Sequence, residues 1–433
     1  MHPKPTPQPI RTSDENEFAH TTMTTRLPKN IRNVIAAHPE YPPVVAEELE
    51  RLAGSMETNE VMPSPALPSW DADRWREQFA ERAGQRWQET DWFFAETYGF
   101  RLILEKVRFF QTGIDPYWPM KLREFESGSP FLPVRRFFGP QGPGSLIDNG
   151  SAGEVEKREI LEEALHLSMW GNKADISFAA GGDLDHSAGD RELLLADHGE
   201  EASELLWRAA GPRGKAGGAQ KTDPGDTTAP VHIVMDNSGA ELAGDLVLAL
   251  TLVRLTGAEV VLHPKFYPTY VSDTTVADIH IYLDRALKWG DESVTRFAKE
   301  VRNAMDRGSI VLVPDPFWCE TRFLSEMPAR LAEPFSEASM VIVKGDFNYR
   351  RALRDTIWTP NTTLEEAMGL TEAGAHGPPS ASISGAAETP WLFLRTMKSD
   401  CLVGVDAEIA DALDEGEPGW RTAGRRGVIQ LLS

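Results

Sequence analysis

The segment VHIVMDNSGAELAGDLVLAL, residues 231–250, changes abruptly from a strand pattern to a helix pattern. Val231 to Met235 is a β-branched and aliphatic run that follows a Gly/Pro-rich stretch and ends at once in Asp236-Asn237-Ser238-Gly239. A buried strand that delivers polar side chains to its end has this signature. From Ala240 onward the residues are apolar on nearly every face, with Glu241 and Asp245 in the first turns and Arg254 in the last. That is expected of a helix packed against a sheet. Strand carboxyl ends and helix N-termini converge where open α/β sheets hold ligands, so the turn at 236–239 is the first candidate site.

The same rhythm repeats downstream. The pattern predicts further strands at 259–263, 309–314, 340–344, 391–395 and 428–431, and helices at 240–255, 276–287, 292–307, 324–332 and 364–368. Alternating units of this kind imply an α/β fold with a parallel, doubly wound sheet covered on both faces. Upstream, residues 26–210 read as mostly helical, with helices at 43–52, 72–87, 91–110, 154–169 and 200–209. The aromatic residues of 91–110 make it the expected core of that region, with Glu96 and Arg101 as a partly exposed pair at its edge. Gly171 reads as a helix stop before the polar turn Asn172-Lys173-Ala174-Asp175. Residues 1–25 are polar and rich in Pro and Thr, as in a disordered tail and unlike a signal peptide. The Gly-rich stretch 211–229 reads as a flexible linker or insertion, and 178–193 as a second Gly-rich insertion. An α/β domain carrying the site would then occupy 230–433.

A formal charge of −22 argues against duplex nucleic acid or an anionic membrane surface as partner, so an anionic ligand must be met by local cations or a metal. No apolar stretch approaches the roughly 20 residues of a membrane span. Two cysteines, Cys319 and Cys401, give neither a disulfide framework nor a thiolate metal site and suit a reducing, cytoplasmic location. Nothing in the pattern specifies an oligomeric state.

In a parallel sheet the strand ends share one edge. Asp236-Asn237, Ser272-Asp273-Thr274-Thr275, Gly345-Asp346-Phe347-Asn348-Tyr349-Arg350-Arg351 and Arg395-Thr396-Met397-Lys398 would therefore meet in one crevice. Asp and Asn oxygens are hard ligands suited to Mg²⁺ or Mn²⁺, and Lys344, Arg350, Arg395 and Lys398 are groups that hold a phosphate. Metal beside phosphate clamp is the equipment of phosphoryl transfer. Singly, each acid has a plainer explanation: Asp236 or Asp273 as a helix cap, Glu241 as a partner of the helix dipole. Capping leaves the crowd of cations on one edge of so acidic a chain unexplained. No HExxH, GxxxxGK[ST] or GxSxG occurs, which removes zinc-hydrolase, P-loop and α/β-hydrolase readings.

The segments MDNSGAEL, VSDTT, KGDFNYR and RTMK, with WGNKADIS before the linker and WRTAGRRGVIQ at the end, resemble the damage-control phosphatase family once called domain of unknown function 89. Within it they are similar to the subfamily marked by an RTxK motif, whose vertebrate member has also been described as an acidic-residue (protein-glutamate) O-methyltransferase. The resemblance implies a Rossmann-like three-layer α/β/α core with a helical N-terminal region and a divalent metal: Mn²⁺, Co²⁺, Ni²⁺ or Mg²⁺. It implies Asp236, Asn237 and Asp273 as metal ligands and catalytic residues. Glu241, Asp346, Phe347, Asn348, Tyr349, Arg350, Lys398, Arg395 and Asn172 would contact substrate. The implied activity is hydrolysis of phosphomonoesters of small metabolites, sugar phosphates such as fructose 1-phosphate among them, with either a water or a carboxylate as nucleophile. The competing reading is an S-adenosylmethionine-dependent carboxyl O-methyltransferase, though the first strand ends in Asp-Asn-Ser-Gly and lacks a Gly-x-Gly-x-Gly turn.

Overall fold

Seven strands form the central sheet of the computed structural model, which describes residues 7–14, 17–66, 68–148, 150–179, 191–210, 229–370 and 388–433. They are β1 (Leu194–Asp197), β2 (Val231–Val234), β3 (Val260–His263), β4 (Ile310–Leu312), β5 (Met340–Lys344), β6 (Trp391–Thr396) and β7 (Gly427–Leu432), in the order β1-β7-β6-β5-β2-β3-β4. The strands β2 to β6 are mutually parallel, as the alternating pattern predicts. The last strand corrects that expectation: β7 runs antiparallel to β6, and β1 pairs with it in parallel. Met397 N donates to Arg426 O at 2.9 Å, so the chain re-enters at the end it left and β7 can only run back along β6. Strand β1 lies inside the segment read as mostly helical and has no counterpart in the sequence reading.

Alternation along each strand builds two cores. Val231, Ile233, Ile342 and Leu392 face one side; Val234, Val341, Val343 and Phe393 face the other. Five helices bear on the site: α1 (Trp92–Lys106), α2 (Glu154–Ala179), α3 (Ala240–Thr256), α4 (Val276–Ala286) and α5 (Gly345–Ala352). Helix α3 is apolar all round because it is covered by the sheet and by α2. Helix α2 does not stop at Gly171. A Cβ there would lie 2.6 Å from the Cα of Glu241, so the glycine marks a close helix crossing and not a cap.

A third core holds the N-terminal helices around Tyr98, whose ring lies within 5.6 Å of those of Trp75, Phe79 and Phe94. Glu96 and Arg101 are both buried and are not partners: Arg101 forms a two-pronged pair with Asp71 (2.8 and 2.7 Å), while Glu96 turns to Arg350. Residues 7–14 and 17–25, within the stretch read as a disordered tail, are built into the fold. Gln8–Pro9 pairs with Thr356–Ile357, Ile10 is buried, and Phe18–Thr21 is a helix running into a π-helical turn, Thr22–Arg26. The surface that orders this arm comes from distant chain, which composition alone does not register. The linker 211–229 lies outside the described residues except for Ala229, as do 180–190 of the second Gly-rich stretch. Among the described residues no helix is long and apolar enough to cross a membrane.

Candidate active site

Strand order reverses at β2, whose neighbours β3 and β5 lead to opposite edges, and the crevice beyond such a switch point is where open α/β sheets bind ligands. Val234 pairs with Val343, so two residues further on Asp236 and Gly345 stand side by side. Gly345 has φ +79°, and a Cβ on it would lie 1.9 Å from Asp236 Oδ2. Only glycine turns the chain here and leaves room for the carboxylate.

Asp236, Asn237 and Asp273 are all buried. Asn237 Nδ2 donates to Asp236 Oδ2 (2.9 Å) and to Glu241 Oε2 (3.0 Å), and its Oδ1 accepts from Ser272 Oγ at 2.6 Å. These bonds fix the amide orientation. Asn237 also forms an isolated antiparallel bridge with Asp273, and Thr274 N donates to Asp236 O at 2.7 Å. The loop that presents Asp273 is strained: Tyr270 and Val271 have φ of 47° and 68°. A β-branched residue in the left-handed region is held there only by its surroundings. Tyr270 is clasped by the rings of Phe347 (4.4 Å) and Phe100 (4.6 Å) and by a 2.7 Å hydrogen bond between its hydroxyl and that of Thr97.

Capping does not account for these acids. Gly239 occupies the N-cap position of α3, where Ala240 N donates to Glu124 Oε1 (3.2 Å), and Thr275 caps α4 in a reciprocal box with Asp278. Burial, then Asp273 and Glu241, push the Asp236 carboxyl well above the usual carboxylate range, against Lys265 and Lys398. Burial likewise raises Asp273, opposed by Lys265. Lys265 stands between the two, 2.8 Å from Asp273 Oδ2 and 3.8 Å from Asp236 Oδ1. On the other side Lys344 Nζ donates to Ser168 O (2.6 Å), Asp245 Oδ1 (2.6 Å) and Glu241 Oε1 (3.4 Å).

The arginines expected in a phosphate clamp are tied to carboxylates of the chain. Arg350 binds Glu96 (2.8 Å) and Asp355 (2.7 Å) and lies 3.4 Å over Trp92. Arg395 is buried against Asp346 (2.7 Å) and the Ser399 carbonyl. Arg395 and Arg350 outweigh the effect of burial and hold Asp346 below the usual carboxylate range. Asp346 Oδ1 also accepts from the backbone N–H of Lys398 at 3.1 Å. Lys398 itself is partly exposed and forms no ion pair among the described residues. Phe347 walls the site, 4.6 Å from Lys265 Nζ and stacked on Phe93 at 5.0 Å. Asn348 brackets the two strand ends by donating to Met235 O (3.2 Å) and Lys344 O (2.9 Å), while Tyr349 points into the core, its hydroxyl donating to Gln430 at 2.8 Å. The side chain of Asn172 lies outside the described residues. Lys265 and Asp245 were not among the site residues expected from the sequence. Lys265 was within its reach, two residues past the end of β3 on the same edge.

Among the described residues no group of three or more His, Cys, Asp or Glu side chains has ready metal-binding geometry. The strand-end set is two carboxylates and an amide, all hard oxygen donors. Among the described residues the buried Asp236 Oδ1 has no hydrogen-bond partner. Four carboxylates (Asp236, Glu241, Asp245, Asp273) face two buried ammonium groups (Lys265, Lys344), an excess that suits a divalent cation.

The family profile described as the damage-control phosphatase ARMT1-like domain matches residues 22–413. Damage-control phosphatase ARMT1 of Danio rerio is 24% identical over 460 residues, covering 99% of this chain and 97% of its own. The Xenopus laevis protein of that name is 26% identical over 466 residues and the Homo sapiens one 24% over 468, each covering 98% of both chains. A crystal structure of a DUF89 family protein from Pyrococcus horikoshii aligns over 95% of this chain and 98% of its own, with a TM-score of 0.45 and 14% identity. With strand-end motifs, switch-point site and a match across most of its length, the chain belongs to the damage-control phosphatase ARMT1-like family.

Proposed function

We propose that this protein is a divalent-metal-dependent phosphatase of the cytoplasm that hydrolyses phosphomonoesters of small metabolites, with sugar phosphates such as fructose 1-phosphate as its substrate class. The observation that carries the reading is the convergence of Asp236, Asn237 and Asp273 at the switch point, with carboxylate in excess and the partly exposed Lys398 at the rim. Those three residues would hold Mn²⁺, Co²⁺, Ni²⁺ or Mg²⁺, which when bound supplies Lewis-acid neutralisation of phosphate charge. The side chains do the rest by positioning. Asn237 is oriented by three hydrogen bonds, and Lys265 restrains the Asp273 carboxylate. Lys398, anchored through its backbone by Asp346, meets the phosphate oxygens. Phe347, Phe93 and Tyr270 close the apolar side against water.

The test is phosphate release from a panel of sugar phosphates by metal-stripped protein, with each of the four ions added back and methyl transfer from S-adenosylmethionine followed in parallel. Metal-restored release is expected. Methyl transfer without release under any ion would replace this reading with that of a carboxyl methyltransferase.

A further inference from the structure

The N-terminal arm is fastened to the elements that frame the site. Ile10 N donates to Asp355 O at 2.8 Å, Trp92 N donates to Ile10 O at 3.0 Å, and the Phe18 ring meets the edge of Trp92 at 5.8 Å. Trp92 in turn lies beneath the guanidinium of Arg350. Burial, together with the nearby Glu17, pushes the carboxyl of Asp400, two residues beyond Lys398, up to about 7. The arm is thus clasped to α1 and to the segment that follows α5.

This placement sets Arg26 over Phe18, on the side of Trp92 and Arg350. Its guanidinium lies 4.0 Å over the Phe18 ring and makes one hydrogen bond, Nη1 to Thr22 Oγ1 at 3.3 Å, with no ion pair among the described residues. Arg26 is exposed as a whole residue, yet the guanidinium is desolvated and feels the charges of Glu96, Arg350 and Asp346. Those acids are already answered: Glu96 by Arg350, and Asp346 by Arg395, the Lys398 N–H and the Ser399 hydroxyl. Arg350 and Arg395 have carboxylate partners, and Arg351 is held by the backbone carbonyls of Trp318 and Glu320. An oriented cation with a spare fork, stacked on an aromatic ring and presented from a π-helical turn, is equipped for an anion from outside.

We propose that Arg26 is a substrate-binding residue of the same site, gripping the phosphate group of the substrate together with Lys398 and making residues 17–26 one wall of the pocket. The inference rests on the phosphatase reading. A two-pronged grip on phosphate oxygens forms on substrate binding and persists through the reaction, so its loss acts mainly on KM.

The test compares Arg26→Ala and Arg26→Lys with the parent protein. Arg26→Ala is expected to raise KM for sugar phosphates roughly 10- to 100-fold and to weaken inhibition by inorganic phosphate by a like factor, while kcat changes less than about threefold. Arg26→Lys is expected to recover part of both losses, and the melting temperature of either variant to stay near that of the parent. A folded Arg26→Ala protein with unchanged KM and unchanged phosphate inhibition overturns the proposal. Should the parent release no phosphate from any substrate, the phosphatase reading fails by itself. Calorimetric binding of inorganic phosphate then decides Arg26 separately: weaker binding by the alanine variant supports the anion site, and equal or absent binding by both proteins overturns it.

Discussion

Replacing Gly345 by alanine probes the join between fold and site. The perturbation has two parts. At φ +79° an L-residue is strained by about 1–2 kcal/mol. The new methyl would also stand 1.9 Å from Asp236 Oδ2, 2.3 Å from its Cγ and 2.7 Å from its Cβ, so the side chain must retreat by about 1.5 Å to reach ordinary contact. Overpacking in a filled interior adds about 1–3 kcal/mol, for a total of roughly 2–5 kcal/mol. In a protein of this size that lowers the melting temperature by about 2–6 °C. A displacement beyond 1 Å at a reacting centre reduces turnover about 100-fold. Calorimetry and phosphate-release kinetics on Gly345→Ala read both effects. Gly54 is the control: it lies in the helix Pro43–Glu57 with nothing within 4 Å of the added Cβ, and Gly54→Ala should stabilise by about 0.5–1 kcal/mol. A Gly345→Ala protein with parental melting temperature and activity would refute the packing of Asp236 against this turn and the site built on it.

Asp236→Asn removes a carboxylate crowded by Asp273 and Glu241, so we expect an unchanged or higher melting temperature together with abolished phosphate release; an active variant would remove Asp236 from the ligand set. Lys344→Met leaves Asp245 and Glu241 buried without their cation and should destabilise by about 3–5 kcal/mol in urea titrations. That deficit should shrink as pH falls, since the Asp245 carboxyl already stands at about 6 and protonation cancels its unpaired charge. The pair His232 and His263 gives an acid limb. His263 Nδ1–H donates to Val313 O (3.1 Å), so its Nε2 accepts from His232 Nδ1–H (2.8 Å) and both rings are neutral. Burial lowers them from 6.5 to about 4 for His232 and about 3 for His263. The unfolded chain takes up these protons first. The stability they support is therefore complete above about pH 6.5 and is lost as pH falls toward 4 and 3, on the order of 4 kcal/mol by pH 5. Denaturant titrations from pH 7 to 5 should show that slope, and the double variant His232→Gln/His263→Gln should flatten it.

The sequence by itself determined the repeating strand and helix units from 231 onward and the polar turns at their ends. Both are written locally, in the period of apolar residues and in the change to Asp, Asn, Gly and Ser where a strand stops. Strand-end logic was enough to bring Asp236, Asn237 and Asp273 to one edge, because parallel strands share a carboxyl end whatever their order. The direction of β7, the recruitment of β1 and the docking of the N-terminal arm were decided by surfaces contributed from distant chain, which leave no periodic trace at the segment itself. Charge roles were also settled through space. Arg350 looks from sequence like a phosphate ligand until Glu96, 254 positions away, takes its guanidinium, and Arg395 until Asp346, 49 positions away, does the same. In a low-dielectric interior a cation must find its counter-charge within a few ångströms, and only the tertiary structure chooses which acid stands there.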